Sequence, residues 1–87
     1  MTTLLTMSND KTIIRILKEG KDAYMKDDFY DMAIRITIGE DGRERLYRKF
    51  TFDPKEVELE RGNETATQVQ LGGEFITKEE YDRYGLV

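Results

Sequence analysis

The sequence predicts an α+β fold: a four-stranded antiparallel meander sheet with one face covered by an N-terminal helix and a short C-terminal helix. Three observations carry that expectation. Apolar and polar residues alternate through residues 33–52, segments with helical spacing and capping residues lie near both ends, and the turns between alternating runs are short and hold Gly, Asp or Pro. Residues 1–87 are expected to form a single small globular domain. A chain of this size buries only ~60–65% of the surface its unfolded form exposes, so its core is thin.

Residues 8–20, SNDKTIIRILKEG, read as the N-terminal helix. Ser8, Asn9 and Asp10 offer N-cap side chains, Ile13, Ile16 and Leu17 fall on one face, and Gly20 is a natural stop. The preceding TTLLTM reads as a short strand or an arm. Residues 21–32 are ambiguous between helix and irregular connection. Within and just beyond them, AYMKDDFYDMAI resembles the helix-turn-helix centre of a tetratricopeptide repeat, with Ala23, Tyr24, Lys26, Tyr30, Asp31, Ala33 and Ile34 where that family favours such residues. The resemblance covers twelve residues of 87 and implies a local helical hairpin. It departs from the family at Asp28, where a turn glycine is usual, and no second copy follows to stack on it.

AIRITI and LYRKFTF both alternate, and their register follows from which loop joins them. A two-residue Asp41-Gly42 turn would put the isoleucines on the face with the cations. A three-residue loop, Glu40-Asp41-Gly42 with Gly42 left-handed, instead pairs Ile36 with Leu46 and gathers Ile34, Ile36, Ile38, Leu46, Phe50 and Phe52 on one face. The three-residue loop is therefore expected. By the same reasoning Asp53–Glu56 is a loop that sets Phe52 opposite Val57 and Phe50 opposite Leu59, and Gly62-Asn63-Glu64 turns the chain into a fourth strand through Thr67 and Val69. After Gly72-Gly73 a short helix ends the chain, with Thr77 as N-cap, Glu80 completing a capping box, and Tyr81 and Tyr84 on one face. Both helices are expected on the isoleucine-phenylalanine face.

The chain has no cysteine and no histidine. Disulfides, thiolate chemistry and the two commonest zinc ligands are thereby excluded, as is the usual general base near neutral pH. Neither a membrane-spanning run nor a signal peptide is evident, and cytoplasmic residence is expected (the host cytoplasm if the source is viral). No cofactor, metal or catalytic residue is expected, because nothing marks out a particular carboxylate pair or phosphate-binding loop.

Charge is segregated. RERLYRKF, residues 43–50, is locally basic in a chain of net charge −4. Arg43, Arg45, Tyr47 and Lys49 offer a basic alternative for nucleic acid, although the acidic balance disfavours direct binding to a phosphate backbone. Arg45 and Lys49 are better read as facing solvent beside Glu56, Glu58 and Glu60 on the next strand, and Arg48 is expected to point inward, snorkelling or pairing with an acid from 27–31. The acids Glu56, Glu58 and Glu60, with Glu79, Glu80 and Asp82 on the last helix, are the candidate protein-binding surface. The functional expectation is a non-catalytic protein-binding module: a small acidic inhibitor or accessory factor acting by surface occlusion or phosphate mimicry. An anti-CRISPR-like viral blocker of a nucleic-acid-binding host enzyme is an instance by analogy alone. A self-associating assembly subunit is the alternative.

Overall fold

Five antiparallel strands and three helices build the fold among the described residues. The computed structural model describes residues 2–86, with side chains from residue 9 onward. In chain order the elements are α1 (Thr2–Lys18), β1 (Ala23–Asp27), β2 (Met32–Ile38), β3 (Glu44–Phe50), β4 (Asp53–Leu59), α2 (Glu64–Gly72), β5 (Glu74–Phe75) and α3 (Lys78–Arg83). The sheet order is β4-β3-β2-β1-β5. The α+β class is thus as expected and the sheet is close to the expected four-stranded antiparallel meander, with β1 in place of the strand expected through Thr67 and Val69 and β5 added along the outer edge of β1.

The β2–β3 hairpin has the expected register: Ile36 pairs with Leu46, and Gly39 donates its N–H to the Arg43 carbonyl at 2.8 Å across the three-residue loop. Gly42 sits at φ +80°, the left-handed conformation that the loop demands and that a Cβ disfavours.

Two apolar layers follow from strand alternation. Ala23 and Met25 of β1, Met32, Ile34 and Ile36 of β2 and Leu46 of β3 point to one side and are buried. There they meet Ile13, Ile16 and Leu17 of α1 and Ala66 and Val69 of α2. α1 stops as expected: Gly20, at φ +79°, and Lys21 donate to the Leu17 and Ile16 carbonyls, satisfying the last turn. Asn9 of α1 ties the two helices together by donating to the Gln70 and Leu71 carbonyls at 3.2 and 3.1 Å, which the end of α2 would otherwise leave without partners. Arg48 points to this side, as expected, and its guanidinium carbon lies 4.0 Å from the centre of the Phe50 ring.

The structure corrects the expected elements in five places. TTLLTM is helical and Ser8–Asp10 lie inside α1 instead of at its first turn. Residues 23–34 form a β-hairpin, not a helical one: alternation buries Ala23 and Met25 beneath the helices, and sheet pairing overrides the tetratricopeptide-like spacing. The β3–β4 turn is tighter than expected. Phe50 pairs with Asp53 and Arg48 with Val57, so residues 53–56 belong to a strand with a local bulge and Phe52 lies in the turn, 81% exposed. Residues 64–72 are helix α2, because Asn63 accepts the Ala66 N–H as an N-cap and Ala66 and Val69, three apart, reach the core.

The fifth correction concerns α3, which has the expected capping box but packs against the opposite side of the sheet from α1 and α2. Its Tyr81 meets Tyr24 and Lys49, whose positions alternate with those of the core residues. The chain therefore buries both sides of its central strands.

Candidate functional site

Under α3 the polar residues of the sheet are tied to one another. Arg35 lies mid-strand between β1 and β3. It donates through Nε and Nη2 to both oxygens of Glu56, at 2.9 and 2.8 Å, and through Nη1 to Asp22 at 3.1 Å. The Tyr81 hydroxyl donates to Glu56 at 2.7 Å. The Arg35 guanidinium also lies over the Tyr47 ring at 4.3 Å. Lys49, 8% exposed, donates to the Tyr81 and Asp82 carbonyls at 2.9 and 3.3 Å, placing a cation at the negative end of α3.

The electrostatics agree with this geometry. The Arg35 hydrogen bonds hold the Glu56 carboxyl below its ordinary range, and the same bonds raise Arg35 further above neutrality. Burial, then the bond to Glu56, pushes the Tyr81 hydroxyl well up, so it is a proton donor in a hydrogen bond and no base. Among the described residues no buried side-chain nitrogen or oxygen lacks a hydrogen-bond partner. The cluster is an anchor that holds a six-residue helix to the sheet.

That anchor changes how the candidate acids are seen. Glu56 is neutralised by Arg35. Glu58 lies 3.3 Å from Arg45, which also reaches Asp41 at 3.6 Å, the cross-strand charge pairing expected of this sheet face. Glu80 is spent on the α3 capping box and Asp82 pairs with Lys78 at 2.6 Å. Glu60 and Glu79 are exposed, one after β4 and the other in the first turn of α3. The six acids therefore do not form one continuous free surface.

The basic alternative is similarly divided. Arg43 is exposed in the β2–β3 loop, Arg45 is paired, Tyr47 is half-buried under Arg35, and Lys49 is buried beneath α3, not in solvent beside Glu60 as expected. A groove of about 660 Å³ gathers Arg43, Arg45 and Arg61 with Glu58 and Glu60, so charges of both signs line it.

The feature that sequence reasoning missed is at the other end of the sheet. The β1–β2 and β3–β4 turns lie side by side there, bonded by Thr51 N–H to the Asp31 carbonyl at 3.0 Å. Phe29 on one turn is 84% exposed and Phe52 on the other 81%. Leu86, 64% exposed, is close by, since Gly85 lies against Pro54. Single exposed apolar side chains are ordinary; two of the most exposed, on neighbouring bonded turns, make this end a candidate surface. Four aspartates flank them: Asp27, Asp28, Asp31 and Asp53. The signal available in the sequence was DDFYD, an aromatic pair inside acids, masked by its likeness to a helical turn.

Among the described residues no cluster of three or more Asp or Glu could hold a metal ion, and no helix is long and apolar enough to cross a membrane. Comparison with family models, with curated proteins and with solved structures gave no match.

Proposed function

We propose that this chain is a non-catalytic protein-binding module that works by occupying a surface of a larger partner, as a small acidic inhibitor or accessory factor does. The observation that carries the reading is the pair of exposed rings, Phe29 and Phe52, on hydrogen-bonded neighbouring turns. Binding hot spots are typically aromatic anchors that become desolvated inside a polar rim, and the aspartates supply such a rim. The anchor beneath α3 supports the same reading from the other side. Its best-placed acid, cation and hydroxyl are engaged with one another, which leaves them structural work instead of chemistry.

Occlusion at the aromatic end fits this arrangement better than phosphate mimicry by the β4 carboxylates, because Glu56 and Glu58 are already paired. A blocker of a nucleic-acid-binding enzyme, in the cytoplasm where that enzyme works, is the instance that the net charge of −4 favours.

The test is a pull-down with the tagged protein from lysate of the source cell, or its host, washed in parallel at low and high salt. One dominant retained protein, released by salt and retained poorly by Phe29→Ala/Phe52→Ala, is the expected result. Recovery of the bait alone, with a mass in solution that grows with concentration, would replace the proposal with self-association. The outer edge of β4, which carries no further strand among the described residues, is the element that would support such assembly.

A further inference from the structure

Resting on that reading, we propose that the partner surface is the single-strand-binding channel of a nucleic-acid enzyme, with the rings of Phe29 and Phe52 taking the places of stacked bases. Channels of this kind combine a basic groove that tracks the backbone with aromatic platforms on which bases stack. The aromatic end of this protein offers a counterpart to both features.

Each ring stands on a short turn, residues 28–31 and 51–52, and the two turns are bonded through Thr51 and Asp31. The Phe29 and Tyr30 rings meet nearly at right angles, with centres 4.9 Å apart, and Tyr30 itself packs on the core. Its turn is thus held from below while the Phe29 ring stays largely in solvent. Flat apolar rings presented this way match a stacking platform, which accepts any π-face without reading its edge.

Charge then selects among apolar acceptors. Asp27, Asp28, Asp31 and Asp53, with Glu80, stand against Lys26, Lys55 and Arg83 at this end, and Lys26 is already bridged to Asp28 at 3.5 Å and Glu74 at 3.4 Å. Two of the carboxylates are positioned relative to the rings: Asp27 accepts the Phe29 N–H at 2.9 Å, and Asp53, next to Phe52, accepts the Lys55 N–H at 3.0 Å. This ordering precedes binding and lowers its entropic cost. A purely apolar groove would strip water from these carboxylates without return, and an anionic membrane surface would repel them. A channel built for a duplex supplies basic charge, but its ligand's bases are stacked on each other and leave no slot for a ring. A second copy of this chain offers Lys11, Arg15 and Lys18 around the half-exposed Ile14 on α1, without an aromatic residue lining that surface.

The test uses immobilised full-length protein, wild-type and Phe29→Ala/Phe52→Ala, loaded with lysate of the source or host cell. Retained protein is then challenged with oligothymidylate of about 16 nucleotides, with a duplex of the same length and with polyglutamate. We expect one protein to be held by the wild type, to be released by the single strand far better than by the duplex or polyglutamate, and to be retained about tenfold less by the double variant. Release by the duplex or polyglutamate as readily as by the single strand would overturn the channel as occupant while leaving a protein-binding module in place. Retention undiminished in the double variant would remove the rings from the interface. Capture of nothing, or only of further copies of this chain, would overturn both this inference and the function on which it rests.

Discussion

Glu56 is the residue whose role changes most between sequence and structure. As one of three alternating glutamates it looks like solvated charge, but in the fold it accepts two hydrogen bonds from Arg35 and one from Tyr81. Removing its charge by Glu56→Gln should cost about 1–2 kcal/mol in a urea melt, a range kept low because the group is partly exposed. The pH dependence follows from the direction of each shift. Glu56 is depressed below its ordinary 4.5, so its contribution is present above that pH and is lost as pH falls through the lower folded value. Tyr81 is raised above its ordinary 10.0, so its contribution is present below that pH and is lost as pH rises further. Thermal melts across pH should show the acid slope shrinking in Glu56→Gln and the alkaline slope shrinking in Tyr81→Phe. Unchanged slopes in both variants would mean that the cluster does not hold α3. Glu58→Lys, at a more exposed position, is the cleaner test of whether the β4 acids contribute to binding.

At the level of elements, the two short helices depend on their first residues. α3 spans six residues and α2 nine, too short to persist without caps and packing. Thr77→Ala should lower stability by about 1 kcal/mol and weaken the fluorescence coupling of Tyr81 with Tyr24; Asn63→Ala should cost a similar amount through α2. Gly85→Ala should be worse than either, because φ is +87° and an added Cβ would lie 2.8 Å from Pro54. A Gly85→Ala protein as stable as wild type would show that Gly85 does not pack on the start of β4. The α3 cap was legible because its determinants lie within four consecutive residues. The α2 cap, Asn63, was equally local, but Thr65, Thr67 and Val69 suit a strand as well, and only burial of Ala66 and Val69 against α1 decides for helix.

For the molecule as a whole, the prediction is a separation of stability from binding. Phe29→Ala/Phe52→Ala should unfold within about 0.5 kcal/mol of wild type, since both side chains are largely in water already, while partner capture falls. A large loss of stability in that variant would instead make the rings part of the fold. Capture should also weaken as salt rises, because acidic and basic surfaces are proposed to meet. Phe29 and Phe52 are 23 residues apart. Nothing local links them; they become neighbours because a meander returns every second turn to the same end.

Local information was enough for the α+β class, the β2–β3 register, the end of α1 and the start of α3. In each case a turn, a cap or a period of two confines the answer to a few adjacent residues. The tertiary structure alone decided that residues 23–34 pair as strands, that 64–72 coil, that α3 crosses to the opposite face, and that two phenylalanines share one end. Those outcomes depend on which apolar surfaces and charges can be buried together, and that competition is settled between segments far apart in the chain.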